Sequence, residues 1–430
     1  MNDMALDPRP EAQRLAAATD RFAQDFGRRT AIYLESCIHC GNCAEACPFF
    51  LATRDPKYTP IWKLEPFRRT WKRTAGPFSW LQRMLTSPVT LTELEQWQEL
   101  IYDSCTMCGR CTAACPMGID IAELVGQARH GMFAAGLAPP DLASVAERAE
   151  REGSPLGATP KVLRERLEWL FDEHGVPIHL DLPQADVLVT LSSIEIMKYP
   201  LSLVAVARVM EHVGCTWTIS SRGYEATNFG MLSGNAEWQR DMTMKLIDAA
   251  IACKAQVLVL PECGHAYSAL RWQGANVLGR ELPFRVLHIS EFLAEGLESG
   301  RIRVKRLAGT VAFHDPCQVS RRGGATQAPR SVMSALGLEL RETEDSGELS
   351  FCCGGGGGVI ANRRADGLRR KAFEIKLRQM DATGAAMSLT SCANCRQSFD
   401  DGEEHLHRDR TMGSLLELVA QHLDERPSGA

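Results

Sequence analysis

Eight of the sixteen cysteines stand in two runs of identical spacing. Cys37, Cys40, Cys43 and Cys47 are followed by Pro48, and Cys105, Cys108, Cys111 and Cys115 are followed by Pro116. In a CxxCxxCxxxCP run the first three thiolates reach three irons of one 4Fe–4S cube, and the fourth serves the other cube. That rule assigns Cys37, Cys40, Cys43 and Cys115 to a first cluster, and Cys105, Cys108, Cys111 and Cys47 to a second. The fourth cysteine is expected to open a helix. Gly41 and Gly109 let the backbone bend tightly and aim its N–H groups at the sulfides. Zinc is the competing metal, but tetrathiolate zinc sites usually pair two separated CxxC units. Clusters whose irons are all ligated by protein carry single electrons, so the question becomes where the electrons go.

Five further cysteines form a second constellation. Cys317 ends HDPC, directly after the apolar run VAF; Cys352 and Cys353 open onto five glycines, 354–358; Cys392 and Cys395 form a CxxC after MSLT. Strand ends of an open α/β sheet are where ligands gather, and three such loops could bring five thiols to one polynuclear metal centre. Gly354 and Gly355 allow the backbone to approach a bulky group. The plainer alternative is zinc or a purely structural cluster. His265, in PECGHAY beside Cys263, could supply protons near neutral pH, or be a loop histidine bonded to backbone. His314 could tune a cluster through a hydrogen bond to sulfur, whereas Asp315 before Pro316 reads as a turn cap. Cys215 and Cys253 sit among apolar residues and read as buried thiols.

The elements that must position these residues differ between the two halves of the chain. The expected architecture is α+β and multidomain. An N-terminal helical arm, 1–30, precedes a helical ferredoxin-like two-cluster domain at 31–140, and a charged helical connector follows at 141–182. From 183 onward short apolar runs such as VLVTL and VLVL alternate with helix-like stretches, which predicts a parallel α/β arrangement. This half repeats itself: VLVTLSS (187–193) matches VAFHDPC (311–317), ARVMEHVG (207–214) matches RSVMSALG (330–337), and Cys263 aligns with Cys392. The copies run about 183–300 and 301–430, and the first has lost most of its cysteines. If they pack with pseudo-twofold symmetry, Cys263 and His265 lie near the cleft between them.

Composition sets outer limits. A net charge of -5 argues against generic nucleic-acid binding. No apolar run approaches the ~20 residues of a membrane helix, and the first residues lack the pattern of a secretory signal, so a cytoplasmic location is expected. Free thiols in such numbers suit a reducing compartment and metal ligation. The stretch TPIWKLEPFRRTWKR (59–73) mixes tryptophan with basic residues; it reads as a partly packed helix with a solvated face, or else as a surface for a membrane partner. No GxGxxG or Walker motif provides a nucleotide site, so no flavin or nicotinamide is expected on this chain.

The arrangement of Cys317, Cys352-Cys353-Gly354 and Cys392-x-x-Cys395 resembles the CCG domain of the heterodisulfide reductase family, whose iron–sulfur subunits place two ferredoxin motifs before tandem CCG domains. The likeness covers the chain from residue 31 onward. The phrases ESCIHCGNCAEACPFFLATRDPKYTP, SCTMCGRC and PECGHAY are similar to its DsrK- and HdrD-like branch. The resemblance implies that Cys317, Cys352, Cys353, Cys392 and Cys395 hold a third, noncubane 4Fe–4S centre at which a disulfide or trisulfide is cleaved. It also implies a membrane haem-b quinol oxidoreductase subunit or a flavoprotein as redox partner, a small disulfide- or trisulfide-carrying protein as substrate, and peripheral attachment to the inner face of the cytoplasmic membrane through a partner. Two alternatives stand beside it: an electron-relay subunit of a flavin-dependent glycolate, lactate or glycerol-3-phosphate dehydrogenase, and a non-catalytic zinc-containing scaffold.

Overall fold

A computed structural model describes residues 7–424. The chain divides into two units that interleave in sequence. The first is built from 7–146, Phe229–Gln239 and Gly354–Ile375; the second from Glu147–Asn228, Arg240–Cys353 and 376–424. The partition therefore departs from the linear segments expected above: the stretch 183–300 lends 229–239 to the first unit, where Leu232 joins the core and Trp238 packs edge-on against Phe133 at 5.5 Å.

The first unit is helical. Helix Glu11–Gln24 lies along helix Ile121–Ala134, where Gly131 leaves space that the Phe22 ring fills; a Cβ there would stand 2.1 Å from it. Phe22 meets Phe67 and Trp97 edge to face at 5.3 and 6.2 Å, and Phe26 meets Trp71 at 5.3 Å. These aromatic contacts hold helices Glu65–Thr74 and Leu91–Gln98 to the pair, forming the frame on which the cysteine loops sit.

The second unit contains two four-stranded parallel sheets. Strands β1 (Val187–Val189), β2 (Trp217–Thr218), β3 (Val257–Leu260) and β4 (Arg285–His288) are ordered β2-β1-β3-β4. Strands β5 (Thr310–His314), β6 (Glu339–Leu340), β7 (Met387–Thr390) and β8 (Gly413–Ser414) take the corresponding order β6-β5-β7-β8. All pairings are parallel, with Val187 beside Val257 and His314 beside Thr390. The central strands are short and apolar because helices cover both faces, and Val187, Val189, Val311 and Phe313 share one core. Among the described residues no helix is long and apolar enough to cross a membrane.

Candidate metal centres

The two ferredoxin-type loops share one backbone course. His39 and Met107, each just before the second cysteine of its run, have φ of 54°, and Gly41 and Gly109 follow at 82° and 73°. The left-handed glycines begin helices Asn42–Ala46 and Arg110–Ala113, which carry Cys43 and Cys111. Cys47 then caps helix Pro48–Thr53, as expected. Cys115 differs: a turn follows it, and the next helix starts only at Ile121, capped by Asp120.

These loops surround two cavities. One is lined by Cys37, Cys40, Cys43 and Cys115; the other is lined by Cys47, Cys105, Cys108 and Cys111. Each set takes three thiols from one run and the fourth from the other. Ile121 lines both spaces. Of the sixteen cysteines, all of them free thiols, Cys40 alone is exposed, so the first cavity has the edge nearer solvent.

In the second unit β5 and β7 are neighbours, and Cys317 and Cys392 follow their carboxyl ends. Cys392 also caps helix Ala393–His405, whose first turn carries Cys395. All five thiols are buried. Cys353 Sγ lies 3.4 Å from Cys395 Sγ, and a ring nitrogen of His314 completes a set of three donor atoms within 4.8 Å of one another. A hydrogen bond from Cys395 lowers the Cys392 thiol pKa, whereas Cys395 itself is driven well up. Ser398 Oγ donates to the Cys353 carbonyl at 2.7 Å and fixes that loop. Gly354, at φ 84°, turns the chain immediately afterwards.

His314 is neutral here, its pKa pushed by burial down to about 3, and neither ring nitrogen has a hydrogen-bond partner. Asp315 does more than cap a turn. Its carboxylate takes two 2.9 Å hydrogen bonds from Arg330 and one of 2.7 Å from the Gly347 N–H. His265 sits half-buried in helix Gly264–Leu278, capped by Cys263, whose thiol pKa burial raises to about 12. The starts of the two equivalent helices meet within this unit: the Ala393 N–H donates to the Glu262 carbonyl at 3.0 Å. Cys253 is buried, while Cys215 is partly exposed.

Where the second sheet gathers thiols, the first gathers oxygen. Ser193, the match of Cys317, donates its backbone N–H to Glu225 at 3.0 Å, and its hydroxyl pairs with Ser154 at 2.7 Å. Burial raises Glu225 and Glu262 to about 7 and Glu195 well above the carboxylate range.

Two residues at the second cavity escaped sequence reasoning. Lys63, read above within a solvated or membrane-facing basic stretch, is 2% exposed and lines the cavity, with its Nζ 3.9 Å from Cys47 Sγ. Arg129 is fully buried and donates to the carbonyls of Ile101, Leu232, Gly357 and Cys105. Burial raises the Cys105 thiol, and both cations pull it back toward thiolate. The rest of the stretch is divided: Phe67 and Trp71 are buried, Trp62 is 55% exposed, and Arg68 and Arg69 pair with Glu65 and Glu93. A lysine flanked by Trp62 and Leu64 was the available signal, since an apolar setting for a cation calls for an anion nearby.

The donor sets suit iron–sulfur groups. Four thiols around each of two cavities, with buried cations beside one of them, match an anionic thiolate-ligated cluster. The orphaned nitrogens of His314 and hydroxyl of Ser391, beside buried thiols, are polar atoms that ordinarily need partners.

Comparisons with known proteins agree. A 4Fe–4S dicluster domain matches residues 33–119, and a cysteine-rich domain matches 311–400. The chain is 27% identical to a dihydromethanophenazine:CoB–CoM heterodisulfide reductase subunit of Methanosarcina barkeri, over 91% of this chain and 94% of that one. It is 25% identical to the Hdr-like menaquinol oxidoreductase iron–sulfur subunit 2 of Archaeoglobus fulgidus (92% and 80%) and 25% identical to the EtfAB:quinone oxidoreductase of Syntrophomonas wolfei (88% and 56%). A hypothetical protein from Helicobacter pylori shares the fold at a TM-score of 0.51 and 13% identity, covering 97% of this chain and 77% of that structure. The chain thus carries a dicluster domain for two 4Fe–4S clusters ahead of a cysteine-rich domain, and over most of its length it is similar to heterodisulfide reductase and Hdr-like iron–sulfur subunits.

Proposed function

We propose that this chain exchanges electrons with a disulfide or trisulfide–thiol substrate at the Cys317, Cys352, Cys353, Cys392 and Cys395 site, in sulfur metabolism. The observation that carries the reading is the convergence of His314, Cys353 and Cys395 within 4.8 Å at buried strand-end loops. In this reading Cys37, Cys40, Cys43 and Cys115 hold one cluster, Cys47, Cys105, Cys108 and Cys111 hold the second, and the five strand-end cysteines hold a third, noncubane one. When bound, such centres supply electrons one at a time, and the third also offers iron to sulfur. The chain's own residues do the rest. Their burial excludes water, the Ser398 hydrogen bond keeps Cys353 beside the helix that presents Cys395, and neutral His314 offers a nitrogen without adding charge.

In this reading the first sheet is a degenerate copy of the second, with Ser193 standing where Cys317 stands and hydrogen-bonded to Glu225. His265, half-buried beside Cys263, is the candidate proton donor to a leaving thiolate. The partners proposed are a membrane haem-b quinol oxidoreductase subunit or a flavoprotein, and a small protein carrying the disulfide or trisulfide, with the chain held at the membrane's inner face through the former.

The test is anaerobic. The reconstituted protein is reduced, and its visible absorbance is followed as a disulfide or trisulfide protein is added, with Cys353→Ser alongside. Rapid reoxidation by wild type, lost in the variant while both ferredoxin-type clusters remain, is the expected result. If wild type ignores every such substrate but is promptly reoxidised by a quinone-linked partner, it is a relay subunit instead.

A further inference from the structure

The two cavities differ in charge. The first is lined by apolar side chains such as Ile38, Ile61 and Met117, with the exposed ring of His39 as its one titratable group apart from the thiols among the described residues. The second has Lys63 on its wall. The Lys63 ammonium donates to the Ser104 carbonyl and lies over the faces of Phe49 and Tyr58 at 5.4 and 5.7 Å. No described carboxylate forms an ion pair with it. Arg129, which donates to the Cys105 carbonyl, has the Asp103 carboxylate as a charged neighbour, and partly exposed Arg110 donates to the Ala46 carbonyl at 3.2 Å, one residue from Cys47.

A buried cation without a counter-ion costs heavily. Lys63 beside four thiols is balanced if the cavity holds an anion, and better balanced as that anion gains charge. Net charge near a cluster is one of the levers that set its potential. We infer that Lys63 orders the two reduction potentials, holding the site of Cys47, Cys105, Cys108 and Cys111 above that of Cys37, Cys40, Cys43 and Cys115. This rests on the ligand sets proposed above. The step it biases is one electron leaving the first site, oxidised by one unit, and arriving at the second, reduced by one; no bond changes and no proton moves. Lys63 is a positioning residue for that electron.

Redox titration of the full cluster-loaded chain, followed by EPR, reads both potentials. Lys63→Gln keeps a donor for the Ser104 carbonyl and removes the charge. One potential should fall by the equivalent of about a tenfold change, ~59 mV for one electron, while the other stays and both cubane signals persist. Lys63→Arg should keep the wild-type gap. In wild type the gap should also survive about 1 M salt, because a buried charge is poorly screened. Unmoved potentials in Lys63→Gln, or a wild-type gap that closes with salt, overturn the inference and leave the ligand sets standing. A wild type without two cubane signals overturns the ligand sets themselves.

Discussion

Cys353 Sγ lies 3.4 Å from Cys395 Sγ across 42 residues of chain, and both remain thiols. The separation is a contact between two donors, with His314 as the third. A polynuclear centre here predicts that Cys353→Ser and Cys395→Ser each lose about one third of the iron. Both should keep the EPR signals of the ferredoxin-type clusters. Metal analysis checks this, and stoichiometric zinc in wild type would point to the scaffold reading.

Glu225 predicts a pH dependence of stability. Burial raises its carboxyl from 4.5 to about 7, so the folded state holds this proton more tightly than the unfolded one. Its stabilising contribution is complete below 4.5 and is lost as pH rises through about 7. The loss is on the order of 2 kcal/mol for a partly exposed group. Urea midpoints measured across that window should fall with rising pH in wild type, with a shallower slope in Glu225→Gln.

The basic tryptophan-rich stretch predicts a sharp contrast between near neighbours. Phe67 is fully buried against Phe22 and Phe26, so Phe67→Ala should cost about 3–5 kcal/mol. Trp62, five residues earlier, is 55% exposed, and Trp62→Ala should stay within about 0.5 kcal/mol. Chemical denaturation of the two variants side by side decides this.

What could be read in the chain follows from how local each signal is. The ferredoxin-type runs were legible because spacing alone dictates the loop: His39 and Met107 repeat one backbone angle because the two motifs repeat one spacing. The alternation of strands and helices was legible for the same reason, and Val187 of β1 and Val311 of β5 each pair with the next parallel strand, at Val257 and Met387. Lys63 was not legible. Its burial depends on Cys47 and Ser104, 16 and 41 residues away, and a lysine among basic residues looks like solvated surface. The lending of 229–239 to the first unit was equally hidden, because it rests on Leu232 and Trp238 finding partners about a hundred residues upstream. Asp315 looked like a turn cap because its partners, Arg330 and Gly347, are remote in sequence.

That last residue carries a prediction of its own. The Asp315 carboxylate is 1% exposed and holds Arg330 in a two-pronged pair at 2.9 Å, while also accepting from the Gly347 N–H. Its carbonyl accepts the Ser350 hydroxyl at 3.1 Å. Asp315 thereby ties the loop entering Cys317 to the loop entering Cys352, two residues beyond Ser350. Asp315→Asn keeps the shape and can satisfy one prong, but it leaves the Arg330 guanidinium facing an amide. Arg330 keeps Glu342 as a counter-ion, so the loss is that of a charged hydrogen bond, about 1.5–3 kcal/mol. Because both loops carry strand-end thiols, the loss should be selective: Asp315→Asn should release iron from the third site first, while the two ferredoxin-type clusters survive. Iron content and EPR measured together along a mild urea series test this. Simultaneous loss of all three would show that Asp315 supports the whole fold and has no special hold on the strand-end site.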